Sequence, residues 1–170
     1  MSKVSIRNDV LPLKDALYRL ALHITLDNAE AEDIVQDTLL KLWNCREQWN
    51  EIENMEAFAM TICRNLALDH LKRMGNQDSS IDGSPFEHAD HAPTPLEYTV
   101  SNDRIQVVRN IIDTLPEKQR SCVQLRDIEG KSYKQIAAIM NISEEQVKIN
   151  IFRARQTIRQ KFDQLDNFGV

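Results

Sequence analysis

Two short signatures near the end of the chain, Ser132-x-x-Gln135 and Ser143-x-x-Gln146, constrain its fold more than any other feature. Each is a capping box, in which the serine hydroxyl accepts from the backbone N–H three residues on and the glutamine reaches back to the serine N–H. Two helix starts this close leave room only for a short first helix and a tight turn. Ile136, Ala137 and Met140 supply the buried face of that helix, and Ala137 is small enough for a close crossing. Asn141-Ile142-Ser143 makes the turn, since asparagine tolerates a left-handed conformation. A second helix is predicted to about Lys161, burying Val147, Ile151, Ala154 and Ile158 at helical spacing. Two capped helices around a three-residue turn form a helix-turn-helix.

Charge gives this motif a partner. From Lys148 to Lys161 there are five cations (Lys148, Arg153, Arg155, Arg159, Lys161) and no acid. Outward cations meet phosphates, and arginine also reads guanine edges in the major groove. The competing reading is a solvated basic helix in an ordinary bundle. A net charge of −5 speaks against nucleic acid, but the charge is unevenly spread. Residues 1–74 carry nine cations and twelve acids, 75–100 no cation and five acids, and 101–170 twelve cations and nine acids. An acidic first half and a basic end imply two surfaces for two kinds of partner.

The helical pattern breaks between Gly75 and Pro95, a stretch with Gly83, Pro85 and Pro93 and with no Lys or Arg. Such composition buries too little apolar surface to offset ordering. We therefore expect an all-α chain of two small helical domains, 8–74 and 97–166, joined by a flexible acidic linker, 75–96. The scarcity of glycine and aromatic residues agrees. In the first domain helices are expected at 10–26, 29–46 and 55–73, the second capped by Asn28 and the third by Asn54. In the second domain Ile105, Val108, Ile112 and Leu115 follow helical spacing, Pro116 suits the first position of the next helix, and Gly130 ends it. No apolar run approaches the roughly 18 residues of a membrane span. Cys45, Cys63 and Cys122 form no Cys-x-x-Cys pair and read as small buried residues of a cytoplasmic protein.

The second helix carries two stripes. Ile34, Val35, Thr38, Leu39, Leu42 and Trp43 form a core stripe, while Asp33, Gln36, Asp37, Leu40 and Asn44 lie on a different face. Acids alone there would be a solvated surface; an outward leucine among them fits a partner contact. On the third helix Phe58, Ala59, Ile62, Cys63, Leu66 and Ala67 are apolar. Thr61, Arg64, Asn65 and Lys72 gather opposite, with Arg73 near the end. By itself that is an ordinary amphipathic helix.

Several segments resemble one family. Leu115-Pro116-Glu117-Lys118-Gln119-Arg120, Asp127-Ile128-Glu129-Gly130, Tyr133 to Ile136-Ala137 and Phe152-Arg153-Ala154-Arg155 resemble the promoter-reading domain of RNA polymerase sigma factors, most of all the extracytoplasmic-function class. The run from Asp33 to Trp43 resembles the sigma segment that grips the clamp helices of the polymerase largest subunit. The resemblance implies an alternative sigma factor that binds core RNA polymerase, through Asp33, Gln36, Asp37, Leu40, Lys41 and Asn44. Ile62 to Arg73 resembles the helix that, with the preceding loop Asn50 to Asn54, engages the minus-ten element. This makes Asn50, Asn54, Thr61, Arg64, Asn65, Lys72 and Arg73 candidate contacts. Minus-35 DNA would meet Ser132, Tyr133, Lys148, Ile149, Asn150, Phe152, Arg153 and Arg155. Many relatives carry Thr-Val-Lys-Ser-Arg where this chain has Gln146-Val147-Lys148-Ile149-Asn150, which leaves the base preference open; Asn150 is an adenine-reading residue type. The class is commonly held inactive by an anti-sigma factor, often membrane-linked.

Other functions fare worse. His88-x-x-His91 beside Asp90 offers too few ligands for a metal, and no cofactor or small-molecule substrate is implied. Glu30, Glu32, Asp33 and Asp37 lack the Glu-x-x-His pairing of a di-metal bundle, and no catalytic triad or phosphate loop occurs, so an enzyme is not expected. His23 and His70 read as packing or surface residues. A stand-alone helix-turn-helix regulator would need a dimer stripe, which the sequence does not offer.

Overall fold

In the computed structural model the described residues are 4–78 and 100–167, with side-chain surroundings for 4–75 and 103–167. His88 and His91, and nearly all of the expected linker, lie outside them. Helical turns at Ile6–Val10 and Leu11–Leu13 lead into α1 (Lys14–Thr25), followed by α2 (Asn28–Asn44), a 3-10 segment (Arg46–Glu51) and α3 (Met55–Asp78). The second group is α4 (Val100–Asp113), α5 (Glu117–Val123), a π-helical turn (Gln124–Ile128), α6 (Tyr133–Met140) and α7 (Glu144–Asn167). The described residues are helical throughout apart from short connections.

Local chemistry sets the boundaries. Asp27, not Asn28, caps α2: its carboxylate accepts from the Glu30 N–H at 3.1 Å, and Asn28 instead accepts from the Tyr18 hydroxyl at 2.7 Å. Asn54 caps α3 as expected, accepting from the Ala57 N–H at 3.0 Å. That helix does not stop at Gly75 but runs one turn further to Asp78, since a lone glycine lowers helix propensity without breaking the ladder. Pro116, extended at ψ 145°, precedes α5 as its cap rather than opening it.

Helices α1, α2 and α3 bury Leu17, Leu20, Ile24, Leu42, Met60 and Cys63 completely. Leu125, Ile136, Met140, Val147 and Ile151 belong to the same continuous core, so the two groups of helices pack together. A smaller cluster of Ile112, Leu115, Val123 and Ala154 holds α4 and α5 to α7. Ile105, expected to face the core, is exposed, because α4 meets α7 only along its later turns. Cys63 and Cys122 are buried and Cys45 half-buried. Burial pushes the Cys63 thiol up to about 12 and the Cys122 thiol up to about 11; neither is a nucleophile at neutral pH.

Candidate functional site

On α2 the two stripes part. Thr38 turns inward and donates to the Ile34 carbonyl at 2.7 Å, while Asp33, Gln36, Asp37, Lys41 and Asn44 are exposed. Leu40 stands 59% exposed among them. Trp43, expected in the core, is instead 44% exposed. The buried indole is that of Trp49, whose Nε1 donates to the Leu42 carbonyl at 2.8 Å and which Trp43 meets edge-on. Trp43 also stacks under Arg46 at 4.5 Å. With Ile6, Val10, Leu11, Leu39 and Leu40, the two tryptophans line an apolar groove of about 380 Å³. The N-terminal turns thus extend the outward face of α2, a contribution that no periodicity on α2 itself could reveal.

Along α3 the candidate contacts separate. Asn50 and Asn54 are exposed at the preceding loop, Asn65, Lys72 and Arg73 are exposed on the helix, and Thr61 is half-buried and donates to the Ala57 carbonyl. Arg64 does not share their open face. It is only 6% exposed and its Nη2 donates to the Glu117 carboxylate at 3.2 Å. Its Nε is buried without a hydrogen-bond partner. The cause is the second group of helices: α6 packs along α3, and Glu117 at the start of α5 reaches Arg64. Further pairs bridge the same interface: Arg19 with Glu129 at 2.6 Å, and Lys131 with Glu56.

The helix-turn-helix matches its sequence signature. Ser132 and Gln135 bond reciprocally at 3.0 and 3.1 Å, as do Ser143 and Gln146 at 3.2 and 3.1 Å. Asn141 closes α6 in the left-handed region, at φ 55°. On α7, Lys148, Ile149, Phe152, Arg153 and Arg155 are exposed, Phe152 by 67%. Two candidates are already engaged: the Asn150 amide donates to the Gln146 carbonyl at 2.8 Å, and Arg155 forks onto Asp127. Arg155 is held further toward its charged form by that bond. An exposed apolar side chain beside cations on the second helix of this motif is suited to duplex DNA.

Two sigma-70 models match in order, region 2 over residues 10–76 and region 4 over 105–158. This chain belongs to the sigma-70 family. It is an alternative sigma factor of the extracytoplasmic-function class, whose members direct promoter-specific transcription initiation. It is 29% identical over 157 residues to the RNA polymerase sigma-H factor of Pseudomonas aeruginosa, covering 88% of this chain and 81% of that one. It is also 29% identical to a probable RNA polymerase sigma factor of Xanthomonas campestris, but over 91% of this chain and only 40% of that longer protein. The sigma factor RpoE of Bartonella quintana, solved with the anti-sigma factor NepR, superposes with a TM-score of 0.76 at 26% identity, covering 95% of this chain and 98% of that one. Among the described residues of this sigma factor, no helix is long and apolar enough to cross a membrane, and no group of His, Cys, Asp or Glu is arranged to hold a metal.

Proposed function

We propose that this sigma factor binds core RNA polymerase through the exposed face of α2 and reads promoter DNA with α3 and α7. The observation that carries the reading is Leu40, an exposed leucine ringed by Asp33, Gln36, Asp37 and Asn44 beside an apolar groove. A monomer gains nothing by leaving that surface in water, whereas a partner helix with apolar and basic side chains would cover it. The open edge of α7, with Lys148, Ile149, Phe152 and Arg153, would meet the minus-35 element, and Ser132, Tyr133 and Arg155 its backbone. Asn50, Asn54, Thr61, Asn65, Lys72 and Arg73 would meet the minus-ten element. Arg64 joins them only when Glu117 and α6 move off α3. The buried, unpartnered Nε of Arg64 makes the packed state less costly to open.

The residues argue for a binding protein without enzymatic chemistry of its own, working in the cytoplasm with core polymerase. An anti-sigma factor would compete for the groove beside Leu40. A polymerase surface and a promoter surface on one chain disfavour a stand-alone regulator.

Run-off transcription with core polymerase on genomic promoter fragments tests the reading. Start sites that depend on the protein are expected, and their absence would overturn it. Asp37→Arg should weaken core binding by an order of magnitude or more while leaving the fold intact, because the residue is exposed. Arg153→Ala should spare core binding and reduce promoter use.

A further inference from the structure

Helix α7 buries Val147, Ile151 and Ala154 on one side. At about 3.6 residues per turn, the position directly opposite that side is Ile149. This isoleucine is 46% exposed, and Phe152, its neighbour three residues on, is 67% exposed. The pair occupies the centre of the outward face. Lys148 and Arg153, both exposed, flank it on opposite edges, while Glu145 lies a turn before it and Gln156 a turn after.

The free chain gains nothing by holding two large apolar side chains in water, and their setting says what covers them. They lie on the second helix of a helix-turn-helix with a cation on each flank, which suits the major groove of a polyanion better than an apolar protein surface. Asn150, the adjacent residue with the chemistry to read adenine, is turned away from that face. It is half-buried, and its amide donates back to the Gln146 carbonyl at 2.8 Å. The Ile149 side chain has neither donor nor acceptor. A base-edge amino group or ring nitrogen pressed against it would lose water and find no partner. One group on the major-groove edges is apolar, and that is the thymine C5-methyl.

We propose that Ile149 is a specificity-determining residue that packs on a thymine methyl, with Phe152 alongside, and makes T·A the preferred pair at one position of the minus-35 element. This assignment rests on the reading that α7 meets that element, and it settles which chemistry reads the base there: apolar contact rather than hydrogen bonding by Asn150. Lys148 and Arg153 remain the polar contacts on either flank.

The test starts from a pool of DNA duplexes with a randomised segment, selected on the full-length protein alone and on its mixture with core polymerase. A T·A pair should dominate one position of the wild-type motif. Ile149→Ser should relax that position alone, and Ile149→Val should keep it. In the selected duplex, exchanging that thymine for deoxyuridine deletes only the methyl. The exchange should weaken wild-type binding about fourfold, the effect of burying one methyl, and leave Ile149→Ser binding unchanged. Ile149 is exposed, so both variants should melt as wild type does, and the wild-type comparison stands by itself where a variant binds too weakly. A wild-type motif without a thymine preference overturns the assignment. So does deoxyuridine bound as tightly as thymine, an equal deoxyuridine loss in Ile149→Ser, or a wild type that enriches no duplex in either arm. A thymine preference that depends on Ile149, found without polymerase-dependent start sites in run-off transcription, would count against the promoter reading alone.

Discussion

Arg120 shows how one side chain fastens this molecule. It is only 8% exposed, yet its guanidinium donates to four carbonyls: His23 at 2.6 Å, Ile24 at 3.2 Å, Leu115 at 3.0 Å and Asp113 at 3.3 Å. Two belong to the end of α1 and two to the end of α4 and the turn beyond it, so the planar fork joins both groups of helices. A lysine presents one ammonium and cannot reproduce that spread. Arg120→Met should destabilise the chain by about 3 kcal/mol, because buried acceptors lose their donor. Arg120→Lys should recover less than half of the loss. Urea midpoints at fixed pH check both.

His23 lies beside it, half-buried, with a buried Nδ1 that lacks a hydrogen-bond partner. Burial lowers its pKa, with nearby Arg120 and Arg109 adding to that and Asp113 opposing it. A lowered folded value means that the unfolded chain takes up the proton first as pH falls. The stability difference is absent well above the ordinary imidazole value near 6.5. The folded state loses stability from there down to the folded value. His23→Gln should therefore flatten the decline in urea midpoint between about pH 7.5 and 5.5 relative to wild type. An unchanged decline would show that other groups cause it.

At the scale of elements, the sequence was legible wherever a helix end depends on its own residues. Both capping boxes, the Asn54 cap and the left-handed Asn141 follow from local hydrogen bonding, and the structure has all of them. Asn141→Val should cost about 1–2 kcal/mol, since a β-branched residue pays heavily at positive φ. Asn141→Gly should be neutral or slightly stabilising, and Ser143→Ala should cost about 1 kcal/mol. Thermal melts of the full chain would separate the three. Legibility fails where one element is covered or uncovered by another. Trp43 has core spacing on α2 but lies outside, because Trp49 folds back to take the buried place. Arg64 has surface spacing on α3 but lies inside, because α6 packs along α3 and Glu117 of α5 takes its guanidinium. No periodicity within a helix encodes either event.

For the whole molecule, the packing of the two helix groups sets a condition on promoter reading. The Arg19–Glu129 and Lys131–Glu56 pairs are at least partly solvated and contribute about 0.2–1 kcal/mol each, less in salt. Arg120 and the shared core hold the groups together regardless. Fluorophores at Glu47→Cys and Gln160→Cys, in a Cys45→Ser background, should show energy transfer that is nearly constant up to about 1 M KCl. Adding core polymerase and promoter DNA should lower it, because on the proposed reading Arg64 would reach DNA only after Glu117 and α6 leave α3. Glu117→Ala strips the carboxylate from a buried guanidinium and removes the acceptor of the Ser121 hydroxyl. It should shift opening to roughly tenfold lower polymerase concentration, since an unpaired buried charge costs several kcal/mol and separation relieves it. Transfer that stays unchanged in a transcribing complex would mean that the two groups read DNA without parting, and would remove Arg64 from the promoter contacts.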